Sequence, residues 1–186
     1  MMLMLRSIAV ALCLMSGMAS AEEKPPSGWI KAGSEPEDYE MGTTTVEGSR
    51  VGYIRPAVDD PKPFATLMQI IDTHDFRSQR VRLSARIKTI QAVRASMWMR
   101  VDGALKPSLR FDNMADRPLT GDTDWARYSI VLDIPAGAEK IAFGALSTGK
   151  GEVLFDDFTL EVVDLSVPTT NLESQPIKPK NLDFEH

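Results

Sequence analysis

Two short alternating runs place aromatic and charged side chains where they could do chemistry. In 95–102, Ala95, Met97, Met99 and Val101 share one parity, while Ser96, Trp98, Arg100 and Asp102 share the other. In 81–88 the apolar set is Val81, Leu83, Ala85 and Ile87, with Arg82, Ser84, Arg86 and Lys88 opposite. A tryptophan on the polar parity offers a plane for the C–H face of a pyranose. Flanking guanidinium and amide groups could take up its hydroxyls. Trp98, Arg100, Arg86 and, on a later run, Trp125 beside Arg127 supply those types. The competing reading is that a loop covers Trp98 and Arg86 merely packs on it. A second constellation spans 112–118, where Asp112, Asn113, Asp116 and Arg117 lie close in sequence. It either grips ligand hydroxyls at a rim or holds its own turn, with Asp112 and Asn113 bonding backbone and Arg117 paired to Asp116 or Asp122.

Catalytic signals are weaker. Glycoside hydrolysis needs two carboxylates at a defined separation, which neighbours such as Asp156 and Asp157, or Asp112 and Asp116, do not establish. No nucleophile triad, phosphate loop or zinc spacing is present, and the two histidines, His74 and His186, lie far apart.

The positioning elements read as strands, because period-two alternation marks a half-buried strand. Residues 80–102 read as a β-hairpin turning near 91–93. That register would set Arg86 opposite Trp98 and Arg82 opposite Asp102. Further strands are expected near 39–41, 50–54, 64–71, 108–113 (Leu109 and Phe111 inward), 125–134, 140–146 and 152–163. In 140–146, Ala142 and Gly144 point outward and could floor a groove. In 152–163 the apolar parity switches between Val153/Phe155 and Phe158/Leu160/Val162, which predicts a bulge at Asp156-Asp157. Eight or nine strands without a helix make an all-β sandwich or barrel.

The ends and the charge bound the setting. Residues 1–21 carry Arg6, a short apolar run and Ala19-Ser20-Ala21, the pattern of a cleaved signal peptide. The expected organisation is a signal peptide over 1–21, a leader over 22–27, a β-domain over 28–163 and a disordered tail over 164–186. Export to the periplasm or the medium follows, with no membrane span after cleavage. Cys13 is the only cysteine, so stability must come from packing rather than disulfides. A net charge of −5 without a basic run argues against a nucleic-acid partner.

The ordered set GWIKAGSEPEDYEMG, FATLMQIID, RVRLSARIKT, MWMRVDG, FDNMADRP, TDWARYSIVLDIP, IAFGALSTGKG and FDDFTLEVV resembles a bacterial exported jelly-roll family. That family is similar to the galactose-binding-domain-like sandwiches that include many carbohydrate-binding modules, and it also occurs fused to transcription regulators. The resemblance covers 28–163 and implies a jelly-roll β-sandwich of eight to nine antiparallel strands. It implies sugar binding only through the fold, which hosts many functions. Leu154 stands where related sequences often carry an aromatic residue. Such modules often hold a structural calcium near the first and last strands, and Glu40 and Asp157 match those places in outline.

The leading expectation is an exported, non-catalytic binding module for carbohydrate. Its candidate ligand residues are Trp98, Arg100, Arg86, Asp112, Asn113, Arg117 and Trp125. The runner-up is a structural or interaction domain docking on a protein of the cell envelope, and a hydrolase stands third.

Overall fold

The computed structural model describes residues 24–170. The expected signal peptide with Cys13, the first two residues of the leader (22–23), and residues 171–186 with His186 lie outside the described residues. Within them, nine strands follow one another: β1 (Ile30–Gly33), β2 (Tyr39–Val46), β3 (Ser49–Pro56), β4 (Ala65–Asp72), β5 (Arg80–Gly103), β6 (Arg110–Asp112), β7 (Leu119–Asp133), β8 (Ala138–Thr148) and β9 (Glu152–Val163). A single 3-10 turn, Pro36–Asp38, precedes β2. All pairings are antiparallel.

The architecture turns on β5, and here the expected hairpin is corrected. Residues 80–103 form one strand of 24 residues rather than two arms. Its first half pairs with β7 and β9, and its second half with β8 and β6. The sheet therefore folds over at the middle of β5 into two layers, β2-β3-β9-β5-β7 and β1-β4-β8-β5-β6. Tight hairpins need residues that tolerate a left-handed backbone, usually Gly, Asn or Asp. The stretch Lys88-Thr89-Ile90-Gln91-Ala92-Val93-Arg94 contains none of them. The chain bends instead, with Gln91 in the left-handed region at φ 49°. Val93 N–H donates to the Lys150 carbonyl at 2.9 Å, tying the crossing to the β8–β9 turn. A Cβ at Gly151 would fall 2.3 Å from the Gln91 carbonyl oxygen, so that turn must be glycine to reach the crossing.

Parity survives the crossing. Val81, Leu83, Ala85 and Ile87 enter the core in one layer, and Ala95, Met97, Met99 and Val101 enter it in the other. Ile130, Leu132, Ile141, Val153 and Phe155 complete the same core. The expected bulge is present: Ser84 pairs with Thr159 but Arg86 with Asp156, so three β9 residues face two of β5. Asp157 takes the left-handed position, at φ 53°. Phe155 is buried and Phe158 packs partly buried against the core, on either side of the shift.

Among the boundaries that move, two bear on the edge of a layer. β7 begins at Leu119 rather than Trp125, taking over part of the expected loop. The first residues of the expected disordered tail are held on β7, the edge of their layer. Thr170 N–H donates to the Val131 carbonyl, and its hydroxyl accepts from Val131 N–H, each at 2.9 Å. Arg80 donates to the carbonyls of Leu165 and Val167, both at 2.7 Å. Covering an edge in this way blocks further strand pairing.

In the other layer, β4 and β8 approach closely at Gly144. A Cβ there would fall 2.2 Å from the Leu67 carbonyl oxygen and 2.8 Å from the Met68 Cα, both backbone atoms that cannot give way. Gly144→Ala is therefore expected to lower the urea midpoint by more than Gly137→Ala, because Gly137 faces open space. Equal midpoints for the two variants would show that the layer tolerates the extra carbon.

Candidate functional site

The outer face of the β1-β4-β8-β5-β6 layer carries an open groove of about 550 Å³. The residues of even parity on β5, Arg94, Ser96, Trp98 and Arg100, run along its length. Phe64, at the entry to β4, and Phe111, on β6, line it as partly exposed rings. Phe111 was expected inward. It faces outward because its register partner is Arg100, itself on the outer face. Asn113, Leu146 and Thr148 complete the lining.

Trp98 occupies the floor and is only 7% exposed. It packs with Met68 and Ala142, with Ala32, Phe111 and Leu146 around them. Its register partner is Gly144, and the small residues on β8 leave room for the indole, as their outward placement suggested. The indole N–H donates to the Thr66 hydroxyl at 2.7 Å, and that hydroxyl donates onward to the Ala145 carbonyl at 2.6 Å. Trp98 is thus a held, covered ring and not a freely exposed stacking plane, but strand residues cover it, rather than the loop and Arg86 of the competing reading. The partly exposed aromatic surface of the groove comes from Phe64 and Phe111, which sequence reasoning missed. The signal for Phe111 was its position two residues before Asn113, which also lines the groove.

Two polar atoms of the groove lack partners. The Ser96 hydroxyl, on a residue 1% exposed, and the Asn113 side-chain oxygen are both buried without a hydrogen bond. A buried polar group left unpaired costs about 1–3 kcal/mol, so a side-chain rotation that turned either atom toward a group in the groove would relieve that cost. Arg100 is differently placed. It is clamped by Asp102 through Nε and Nη2, each at 2.9 Å to one carboxylate oxygen, and Asp102 also accepts from Ser108 N–H at 2.7 Å.

The remaining expected site residues separate from the groove. Asp112 is fully buried; it accepts from Met114 N–H at 2.8 Å and from Arg117 at 2.6 Å. Burial works against the Arg117 charge, but the hydrogen bonds and attraction of Asp112 and Asp116 outweigh it and raise its pKa above the ordinary arginine value. Asp112 and Arg117 therefore hold the β6–β7 loop, while Asn113 alone of that stretch lines the groove. Arg86 and Trp125 lie on the outer face of the opposite layer. Arg86 stands 5.2 Å over the Trp125 ring, and Trp125 packs with Val51, Tyr53 and Leu154. Arg86 pairs in register with Arg127 and Asp156, not with Trp98, and Arg82 meets Glu161 rather than Asp102. The cause is the crossing of β5, which carries its two halves into different layers.

Glu40 and Asp157, the residues expected at a structural calcium, both face arginines. Glu40 is engaged by Arg55, with Nε 2.7 Å from the carboxylate. Asp157 lies 3.8 Å from Arg86 and 3.7 Å from Arg127. Among the described residues no group of three or more acidic, histidine or cysteine side chains is arranged to hold a metal.

A larger cavity, about 670 Å³, opens between the layers beside Trp29 and the β9 bulge. Its rings pack on one another, with Trp29 and Phe158 at 5.1 Å and Trp29 and Phe143 edge-on at 6.3 Å. None of its lining side chains carries a buried polar atom without a partner, which distinguishes it from the outer groove.

No family model matches the chain. It is 44% identical over 172 residues to the HTH-type transcriptional regulator YbfP of Bacillus subtilis (strain 168), a match over 88% of this chain and 58% of that protein. The chain thus spans little more than half the length of this relative. Among solved structures, it resembles the CBM22-1 xylan-binding domain of Paenibacillus barcinonensis Xyn10C. The TM-score is 0.53 at 12% identity, over 79% of this chain and 94% of that one. A CBM4 structure aligns with a TM-score of 0.52 at 15% identity, over 73% and 86% of the two chains. An apo cyclase from Fischerella sp. aligns with a TM-score of 0.56 at 13% identity, over 82% and 92%. These likenesses show a jelly-roll β-sandwich, a fold shared there by binding modules and an enzyme.

Because Trp98 is buried and hydrogen-bonded, Trp98→Ala is expected to cost about 3–5 kcal/mol of stability in denaturant unfolding. Trp98→Phe, which keeps most of the ring and leaves Thr66 its bond to Ala145, should cost far less. An undiminished midpoint for Trp98→Ala would mean that the ring is not part of the packed face.

Proposed function

We propose that this protein is a non-catalytic carbohydrate-binding module whose ligand lies in the outer groove of the β1-β4-β8-β5-β6 layer. The observation that carries this reading is the pairing of aromatic walls with unmet polar atoms. Phe64 and Phe111 offer ring surface, while the Ser96 hydroxyl and the Asn113 oxygen await hydrogen bonds. A sugar presents both apolar C–H faces and hydroxyls, so it satisfies the two together. The groove follows β5 from Arg94 to Arg100, a run of about 20 Å at the rise of a strand, which suits an extended oligosaccharide better than a single ring. The likeness in fold to the xylan-binding domain and the CBM4 structure supports the same reading.

The match to a transcription regulator favours a related use of the same groove, in which sugar recognition serves as a sensory input in a longer relative. Both uses require the groove to bind a glycan.

The test is a glycan array followed by calorimetry on the purified protein. Phe111→Ala should weaken binding to any glycan found by about tenfold or more, since central aromatic contacts dominate such interfaces. Arg127→Ala, on the opposite layer, should leave affinity unchanged. Binding to no glycan, or binding that responds to Arg127→Ala and not to Phe111→Ala, would overturn the assignment.

A further inference from the structure

We infer that the groove selects an acidic saccharide, with its anionic group held by Arg94; this rests on the carbohydrate reading of the same groove. Two side chains define the charge the groove presents. Arg94 and Arg100 are its ionisable side chains, and no carboxylate lines it. Arg100 is neutralised by the bidentate contact with Asp102. Arg94, by contrast, makes no hydrogen bond or ion pair with any described residue. Its register partner across the ladder is Thr148, whose hydroxyl also lines the groove.

This leaves one uncompensated guanidinium at one end of the groove, half-buried, beside a hydroxyl donor. Most other arginines on the two faces are paired with carboxylates: Arg80 with Asp133, Arg82 with Glu161, Arg55 with Glu40 and Arg117 with Asp112. In a chain of net charge −5, carboxylates are not scarce, so a free cation in a concave site stands out. Charges farther away than about 8–10 Å are screened at physiological salt, so the acidic surface elsewhere does not cancel Arg94 within the groove. A guanidinium offers a planar fork that matches a carboxylate or sulfate with two parallel hydrogen bonds. A sugar stacked along Phe111 and Phe64, with hydroxyls at Ser96 and Asn113, would bring a ring substituent to that fork. A neutral glycan would leave it facing water.

The two anions a saccharide can carry are separated by the probes. Calorimetry would compare a galacturonate oligosaccharide, a sulfated oligosaccharide and a neutral xylo-oligosaccharide of similar length, at low and high salt. The expected result is tighter binding of an acidic probe over the neutral one by about tenfold, the worth of one charge-assisted contact. Which acidic probe wins identifies the anion. The preference should shrink in high salt and vanish in Arg94→Gln, while Arg94→Lys keeps part of it. Arg94 holds no partner in the fold, so the melting temperature of both variants should match the parent and separate loss of binding from loss of structure. Neutral and acidic probes binding alike, with Arg94→Gln unchanged, would overturn the acidic selectivity and leave the glycan-binding reading standing. Equal competition by a poly-aspartate peptide would also overturn it, since a peptide lacks the sugar faces. Failure of all three probes on a protein that binds nothing on the array would overturn both.

Discussion

The continuity of β5 is the constraint on which the rest of the molecule depends. One strand of 24 residues belongs to both layers, so its hydrogen bonds tie β7 and β9 to β8 and β6. A break at its middle would leave two separate sheets with apolar faces exposed. The bend at Gln91 keeps the apolar residues of both halves on the inside, because the parity of 81–87 is the parity of 95–101. The crossing also decides the chemistry. It sends Arg86 to one outer face and Trp98 to the other, so residues that share a strand never share a site.

The groove depends on a second constraint, the close approach of β4 and β8 at Gly144. The close approach brings Met68 and Ala142 together beneath the Trp98 ring, where they pack against it. The indole N–H finds Thr66, on a strand 32 residues away, and the ring becomes floor rather than platform. The polar atoms of Ser96 and Asn113 are sunk around that floor, and Phe64 and Phe111 stand beside it. Rigid packing beneath gives the proposed site a fixed shape, and a preformed site lowers the ordering cost of binding.

Electrostatics divide the charged residues into two roles. Asp112 is fully buried, and its carboxylate accepts from both Arg117 and Met114 N–H. Breaking such a pair leaves an uncompensated charge, so it holds the β6–β7 loop in place. Exposed pairs such as Lys62 with Asp60 contribute little. Arg94 has neither role among the described residues, and it lines the groove.

Much of the architecture was legible in the residues alone. Period-two alternation identified strands and their inward faces, and the parity switch between Phe155 and Phe158 located the bulge; Ala142 and Gly144, expected to floor a groove, lie beneath Trp98's face instead of lining it. Alternation and parity are local properties: each depends on the side-chain period of a single strand and needs no knowledge of its neighbours. What the tertiary structure decided was pairing. Whether 88–94 turned back or crossed over depended on hydrogen bonds to β7, β8 and β9, far away in sequence, although the absence of turn-forming residues there was a signal against a hairpin. Once the crossing replaced the turn, Arg86 and Trp125 separated from Trp98, and Phe111 faced outward because its partner was Arg100. The burial of Trp98 was equally non-local, set by Thr66 and by the bare backbone of Gly144. Composition and alternation determined which face each side chain takes; only the long-range register determined which side chains meet.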